Sequence, residues 1–135
     1  AGEMSVTLHR AFDLCVDPFV AMEQAKELGI NTILTSGQKN HCLDGKETLR
    51  KLVEREEGKI TIQVGSGVDA ETIRRIQPYT GAHAFHMSGK KVLPSGMRYR
   101  NERVHMGIEG MSEFEIYRTD AEEIRKATEQ LHSIL

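Results

Sequence analysis

The stretch KITIQVGSGVDAETIRRI, residues 59–76, decides how this chain folds. From Lys59 to Val64 it alternates, with Ile60, Ile62 and Val64 on one side and Thr61 and Gln63 on the other. That period of two, rich in β-branched residues, predicts a strand with one apolar face. Gly65-Ser66-Gly67 supplies a turn, and Asp69 is placed to cap a helix whose buried face carries Ile73 and Ile76. Pro78, followed by Gly81, is expected to stop that helix. Strand, glycine turn and helix make one βα unit.

Outward from this unit the same pattern recurs. Upstream, Thr32-Ile33-Leu34-Thr35 reads as a strand, and Asp44 with Glu47 as a capping box for a helix burying Leu49, Leu52 and Val53 and ending at Gly58. Before it, Ser5 to Ala11 reads as a strand, and Asp17-Pro18 opens a helix with Ala21, Met22, Ala25 and Leu28 on one face and Gly29 beyond its end. Downstream, Ala82 to Met87 reads as a short strand and Ser88 to about Arg118 as irregular chain. Thr119 with Glu122 is then expected to cap a last helix burying Ile124, Ala127, Leu131 and Leu135. Strand starts near 5, 32, 59 and 82 are 27, 27 and 23 residues apart, close to the minimum for a strand with its crossover helix.

Four βα units suit either an open doubly wound sheet or half of a (β/α)8 barrel. A sheet covered by helices on both sides wants strands apolar on both faces. Here Val6 and Leu8 oppose Thr7 and His9, and Phe85 and Met87 oppose Ala84, His86 and Ser88. One apolar and one semi-polar face favour helices outside and a barrel lumen inside. Residues 1–135 therefore read as one partial barrel domain of class α/β, with parallel strands. Ala1-Gly2-Glu3 leads straight into a strand with no Met at position 1, so the chain reads as starting inside a longer barrel.

Composition narrows the function classes. The 135 residues are 39% hydrophobic and 28% charged, an ordinary globular mixture. Eighteen basic against twenty acidic residues leave a net charge of −2, which argues against binding nucleic acid by charge alone. Among the longest apolar runs is Phe19 to Met22, far below a membrane span of about 20 residues. Two cysteines could form at most one bridge, which fits a reducing compartment.

The chemistry is expected at the C-terminal ends of the strands, where the βα loops of barrels converge. Strand parity puts His9 and His86 on the lumen face, where two imidazoles could exchange protons near neutral pH or simply hold backbone carbonyls. Gly65-Ser66-Gly67 and Ser88-Gly89 follow neighbouring strands and could cradle an anion with backbone N–H groups, or serve only as tight turns. Cys15 and Cys42 follow the first and second strands; soft thiolates would suit copper(I), yet no CxxC or MxxM spacing prepares a site and two free thiols is the other reading. Met97-Arg98-Tyr99-Arg100-Asn101 could reach an anion or a partner chain, or form a loop over the barrel mouth anchored by Tyr99.

Several of these stretches, in order, resemble the CutC family, named for copper homeostasis. They are His9-Arg10-Ala11-Phe12-Asp13, Leu34-Thr35-Ser36-Gly37, Gly65 to Gly67, Phe85-His86 with Ser88, and Ser95-Gly96-Met97-Arg98-Tyr99-Arg100-Asn101 followed by Met106-Gly107. The resemblance runs from about residue 5 onward and implies the C-terminal half of a (β/α)8 barrel. It adds Ser36 and Gly37 to the anion-site candidates. It departs at Ser66, where the family usually has glycine. The cysteines proposed as copper ligands in relatives lie in the other half, so Cys15 and Cys42 inherit no role from them. The resemblance implies a cytoplasmic protein that binds or handles copper(I). The competing expectation is a barrel enzyme for a small phosphate- or carboxylate-bearing substrate, in which His9 and His86 move protons, Arg10 holds the anion and Asp13 orients a histidine. Self-association, or pairing with a complementary half-barrel, is expected of the open sheet edges.

Overall fold

A computed structural model describes residues 2–108 and 110–134. Four short strands pair in parallel and in chain order: β1 (Thr7–Leu8), β2 (Thr32–Thr35), β3 (Thr61–Val64) and β4 (Ala84–Phe85). Between them run α1 (Pro18–Glu27), α2 (Lys46–Val53) and α3 (Ala70–Thr80). The register aligns Leu8, Ile33 and Ile62 across three strands, then Thr35, Val64 and Phe85. Those rows lie under the helices, where Met22, Leu49, Leu52 and Ile76 meet Ile33, Ile62 and Val64 with no solvent exposure. The opposite rows, with Thr32, Leu34, Thr61, Gln63 and Ala84, stay half-exposed. One covered apolar face and one open semi-polar face match the half-barrel reading.

Local chemistry explains most boundaries. The Asp17 carboxylate accepts from the N–H groups of Phe19 and Val20, with Pro18 in the first turn, and Asp69 accepts from Thr72 N at 2.7 Å. Three expectations fail for tertiary reasons. Asp44 does not cap α2; Gly45 stands there with no side-chain cap, because its backbone packs on Ser36 and Gly37 so closely that no Cβ fits. Glu47 instead accepts from the Tyr79 hydroxyl. Pro78 does not end α3, which runs on to Thr80 before Gly81 leaves at φ 74°. Thr119 does not cap the last helix, since its hydroxyl donates to Ser88 O while Asp120 Oδ1 receives Glu122 N at 3.1 Å.

The largest difference is in residues 88–118. They contain an antiparallel pair, β5 (Lys90–Pro94) and β6 (Glu115–Thr119), with Val92 opposite Tyr117 and Leu93 opposite Ile116. No short hairpin turn joins them, so the sequence carries no local sign of the pairing. Ser95 N closes the loop onto Phe114 O at 2.7 Å. α4 (Ala121–Ile134) follows and packs on α3, burying Ala127 and half-burying Ile124 and Leu131. Ala1 and Leu135 lie outside the described residues. Among the described residues no helix is long and apolar enough to cross a membrane.

Candidate functional site

The first loop builds the site. β1 stops at Leu8, and the chain closes a 3-10 turn over Arg10–Leu14, pinned by the buried Phe12. His9 is not a strand residue but the cap of this turn: its Nδ1 accepts Ala11 N at 2.9 Å and its carbonyl accepts Phe12 N at 3.1 Å. The turn drives Asp13 beneath the end of β2. There Asp13 Oδ1 accepts from Thr35 Oγ1 at 2.5 Å and Gln38 N at 3.1 Å, and Oδ2 from Arg10 Nε at 2.8 Å and Ser36 Oγ at 3.0 Å. Ser36 N reaches both oxygens at 3.2 Å. Burial alone would push this carboxyl up; the donors Thr35, Arg10, Gln38 and Ser36 outweigh it and hold it below the usual carboxylate range. Asp13 therefore holds an arginine, not the histidine expected from the sequence.

Arg10 is fixed in turn. Its Nε is spent on Asp13, and its Nη2 donates to Ser36 Oγ at 2.8 Å and to Lys39 O at 3.1 Å. Arg10 lines a cleft of about 480 Å³ at the C-terminal ends of the strands, together with Leu34, the turn from Gly65 to Val68, and His86, Met87, Ser88 and Lys90. The N–H groups of Ser66, Gly67 and Val68 donate to no protein acceptor among the described residues. The turn's other polar atoms are occupied: Ser66 Oγ donates to Asn40 O at 2.6 Å, and Ser66 O accepts Cys42 N at 3.1 Å. Ser66 itself sits at φ 75°, a conformation that favours glycine. Lys90 Nζ lies 5.0 Å from the Tyr117 ring centroid, which props it at the cleft rim. No local sequence signal marks Lys90; only the pairing of β5 with β6 brings it there.

The expected anion set divides. Gly65, Ser66, Gly67 and Ser88 line the cleft with His86 and Arg10, whereas His9, Ser36, Gly37 and Gly89 are not among its lining residues. Ser36 and Gly37 are buried and structural: Ser36 Oγ has one proton to share between Asp13 Oδ2 and Lys39 O, and Gly37, at φ 71°, admits the Gly45 backbone. Gly89 is buried against α4, where a Cβ would meet Ile124 Cδ1 at 2.6 Å. It lines a smaller hollow shared with the acidic Asp69 and Glu123, a poor setting for an anion.

The two thiols sit in different settings, one half-buried and one in the core. Cys42 is fully buried in the core, and burial pushes its thiol up to about 11. Cys15 is half-buried, its thiol also raised by burial, and its sulfur faces only the Gln38 amide at 3.7 Å. Among the described residues no group of three or more His, Cys, Asp or Glu is placed to hold a metal ion. Tyr99 is exposed and makes no side-chain hydrogen bond among the described residues, while Arg100 is spent within the loop on Ser95 O and the Phe114 ring.

Comparison with known proteins agrees with this geometry. The family model described as the CutC family matches residues 1–91, ending where β5 begins. A CutC family protein of Parabacteroides distasonis is 47% identical over 126 residues, covering 93% of this chain and 52% of that protein. The human copper homeostasis protein cutC homolog is 37% identical over 123 residues, covering 90% of this chain and 45% of that protein. A solved CutC structure from Streptococcus agalactiae superposes with a TM-score of 0.58 at 31% identity, over 62% of this chain and 42% of that one. The chain spans about half the length of the curated relatives it matches. Four βα units with one lumen-like face, a rim built on the His9–Asp13 turn, and these matches place the chain in the CutC family, as the equivalent of half its barrel.

Proposed function

We propose that this chain binds a small anionic ligand at the C-terminal rim of its parallel sheet. One observation carries the reading: Arg10, Lys90 and His86 line a single cleft beside the Ser66–Val68 turn, whose N–H groups meet no protein acceptor among the described residues. Positive side chains with free amides are the donors an anion needs. His86 is then the one expected acid/base residue that lines the cleft, and an enzymatic role rests on it alone. Titrating the protein with inorganic phosphate while following backbone amides by NMR tests the reading. Saturable shifts at Ser66, Gly67 and Val68 are expected, and none at millimolar phosphate refutes it.

A second reading, copper handling, rests on the printed name of the human relative. In this reading Cys15 and Cys42 are the soft donors of this chain and copper(I) is cargo. A role in the cytoplasm, where the two free thiols would stay reduced, belongs to the same reading. Competition for copper(I) against a colorimetric chelator, with a Cys15→Ser/Cys42→Ser control, separates the two readings. Copper(I) retention lost in that control supports copper handling, and retention at the level of the control removes it.

A further inference from the structure

We infer that the Asp13 latch makes Arg10 a single-nitrogen donor, and that the cleft is thereby selective for a tetrahedral oxyanion of the phosphate class over a planar carboxylate. The inference rests on the anion-binding reading of the cleft and names its ligand class.

A guanidinium offers five N–H groups and two forks for a planar carboxylate: the side edge, Nε with Nη2, and the end edge, Nη1 with Nη2. In this protein Nε is bonded to Asp13 Oδ2 at 2.8 Å, and Nη2 is bonded to both Ser36 Oγ at 2.8 Å and Lys39 O at 3.1 Å. Each fork needs an Nη2 proton, so both are closed. What remains is Nη1, whose two N–H groups diverge and cannot make the parallel pair of bonds that a planar carboxylate takes. A planar carboxylate gains most from arginine through the paired contact, and here it is denied that contact. A phosphate does not need it, because its oxygens diverge. One oxygen can take Nη1 while others take the Ser66–Val68 amides and Lys90, all of which line the same cleft.

Asp13 is accordingly a positioning residue. Its carboxylate is nearly enclosed, at 7% exposure, and is filled by Arg10, Thr35, Ser36 and Gln38, so no ligand need touch it. Replacement by Asn separates its two jobs. The amide oxygen can still accept from Thr35, Ser36 and Gln38 as Oδ1 does, but the amide nitrogen would face the Arg10 Nε–H donor to donor. The latch opens at Arg10 while the loop keeps its remaining bonds.

The test compares inorganic phosphate with malonate, whose charge resides on planar carboxylates, at matched ionic strength and pH 7. Amide shifts at Ser66 to Val68 and the Arg10 Nε–H signal are read in the wild type, in Asp13→Asn and in Ser36→Ala. In the wild type, phosphate should half-saturate at about one-tenth the malonate concentration, the ratio set by roughly one charge-assisted hydrogen bond. In Asp13→Asn that ratio should shrink toward one, with malonate now shifting the Arg10 Nε–H. Ser36→Ala, which frees one Nη2 proton at unchanged charge, should fall between and serves if the Asn variant does not fold. Equal wild-type binding of both anions, or a ratio unchanged in the variants, overturns the inference while leaving the cleft an anion site. Silence toward both anions overturns the cleft reading itself.

Discussion

Removing the Asp13 side chain should cost this small domain a large share of its stability, and the structure says how much. Asp13→Ala removes the acceptor for Thr35 Oγ1, Ser36 N, Gln38 N and Arg10 Nε at once. Thr35 and Ser36 are fully buried, so water cannot replace the carboxylate for them. Each buried donor left unpaired costs about 1–3 kcal/mol, and Arg10 loses its charge partner as well. The bonds share one acceptor and are not additive, and Arg10, 42% exposed, is rehydrated by solvent, so the expected loss is about 2–4 kcal/mol, set mainly by the buried donors of Thr35 and Ser36. Against a typical stability of about 5–15 kcal/mol, that leaves the variant marginal. Urea unfolding at pH 7 measures it. Acid provides an independent reading. Because the folded carboxyl titrates below its ordinary value, its contribution is complete above the unfolded pKa and is lost as pH falls through the folded one. Wild-type stability should therefore fall below about pH 4, and this part of the slope should vanish in Asp13→Ala. A loss under about 1 kcal/mol at pH 7, or an acid limb identical in both proteins, would show that the latch is geometry without energy.

Three further outcomes are expected. Gly45→Ala should destabilise by at least about 2 kcal/mol in thermal or urea unfolding, because the new Cβ runs into the Ser36 carbonyl and backbone cannot swing aside; a neutral substitution would mean that α2 starts elsewhere. At pH 8 a thiol reagent should label Cys15 and spare Cys42 until denaturant is added, and stability should decline between about pH 9 and 11, as unfolded Cys42 ionises and folded Cys42, at about 11, does not; this alkaline decline should flatten in Cys42→Ala. His9→Gln should leave the phosphate-induced amide shifts at Ser66 to Val68 unmoved, since His9 is committed to the Ala11 amide and is not among the residues lining the cleft; weakened phosphate binding in that variant would put His9 back at the site.

How much was legible in advance follows the range of each interaction. The βα rhythm, the parallel order and the two unlike sheet faces were all written in local periodicity, and so were the caps at Asp17 and Asp69. Arg10 and the Gly65–Gly67 turn lie at the strand ends, where local signals (a strand terminus and a glycine turn) put them. The misplaced features are those whose partners lie far along the chain. Asp44 yields the cap position because Gly45 must touch Ser36 and Gly37, and Thr119 yields it because its hydroxyl reaches back to Ser88. Strands β5 and β6 pair across a twenty-residue gap, 95–114, with no turn between them to announce it.

By itself the sequence carried the parallel βα half-barrel, because side-chain period and turn chemistry act within a few residues and survive any surroundings, while its short motifs carried the resemblance to the CutC family. Only the tertiary structure decided what the candidate residues do. His9 left the strand to cap a turn, Gly37 and Gly89 became points of close packing, and Asp13 took an arginine in place of a histidine. The physical reason is that hydrogen bonds and charges are claimed by whichever donor the fold brings within about 3 Å, and that choice rests on contacts such as Asp13 with Thr35 and Ser36 across 22 and 23 residues of chain.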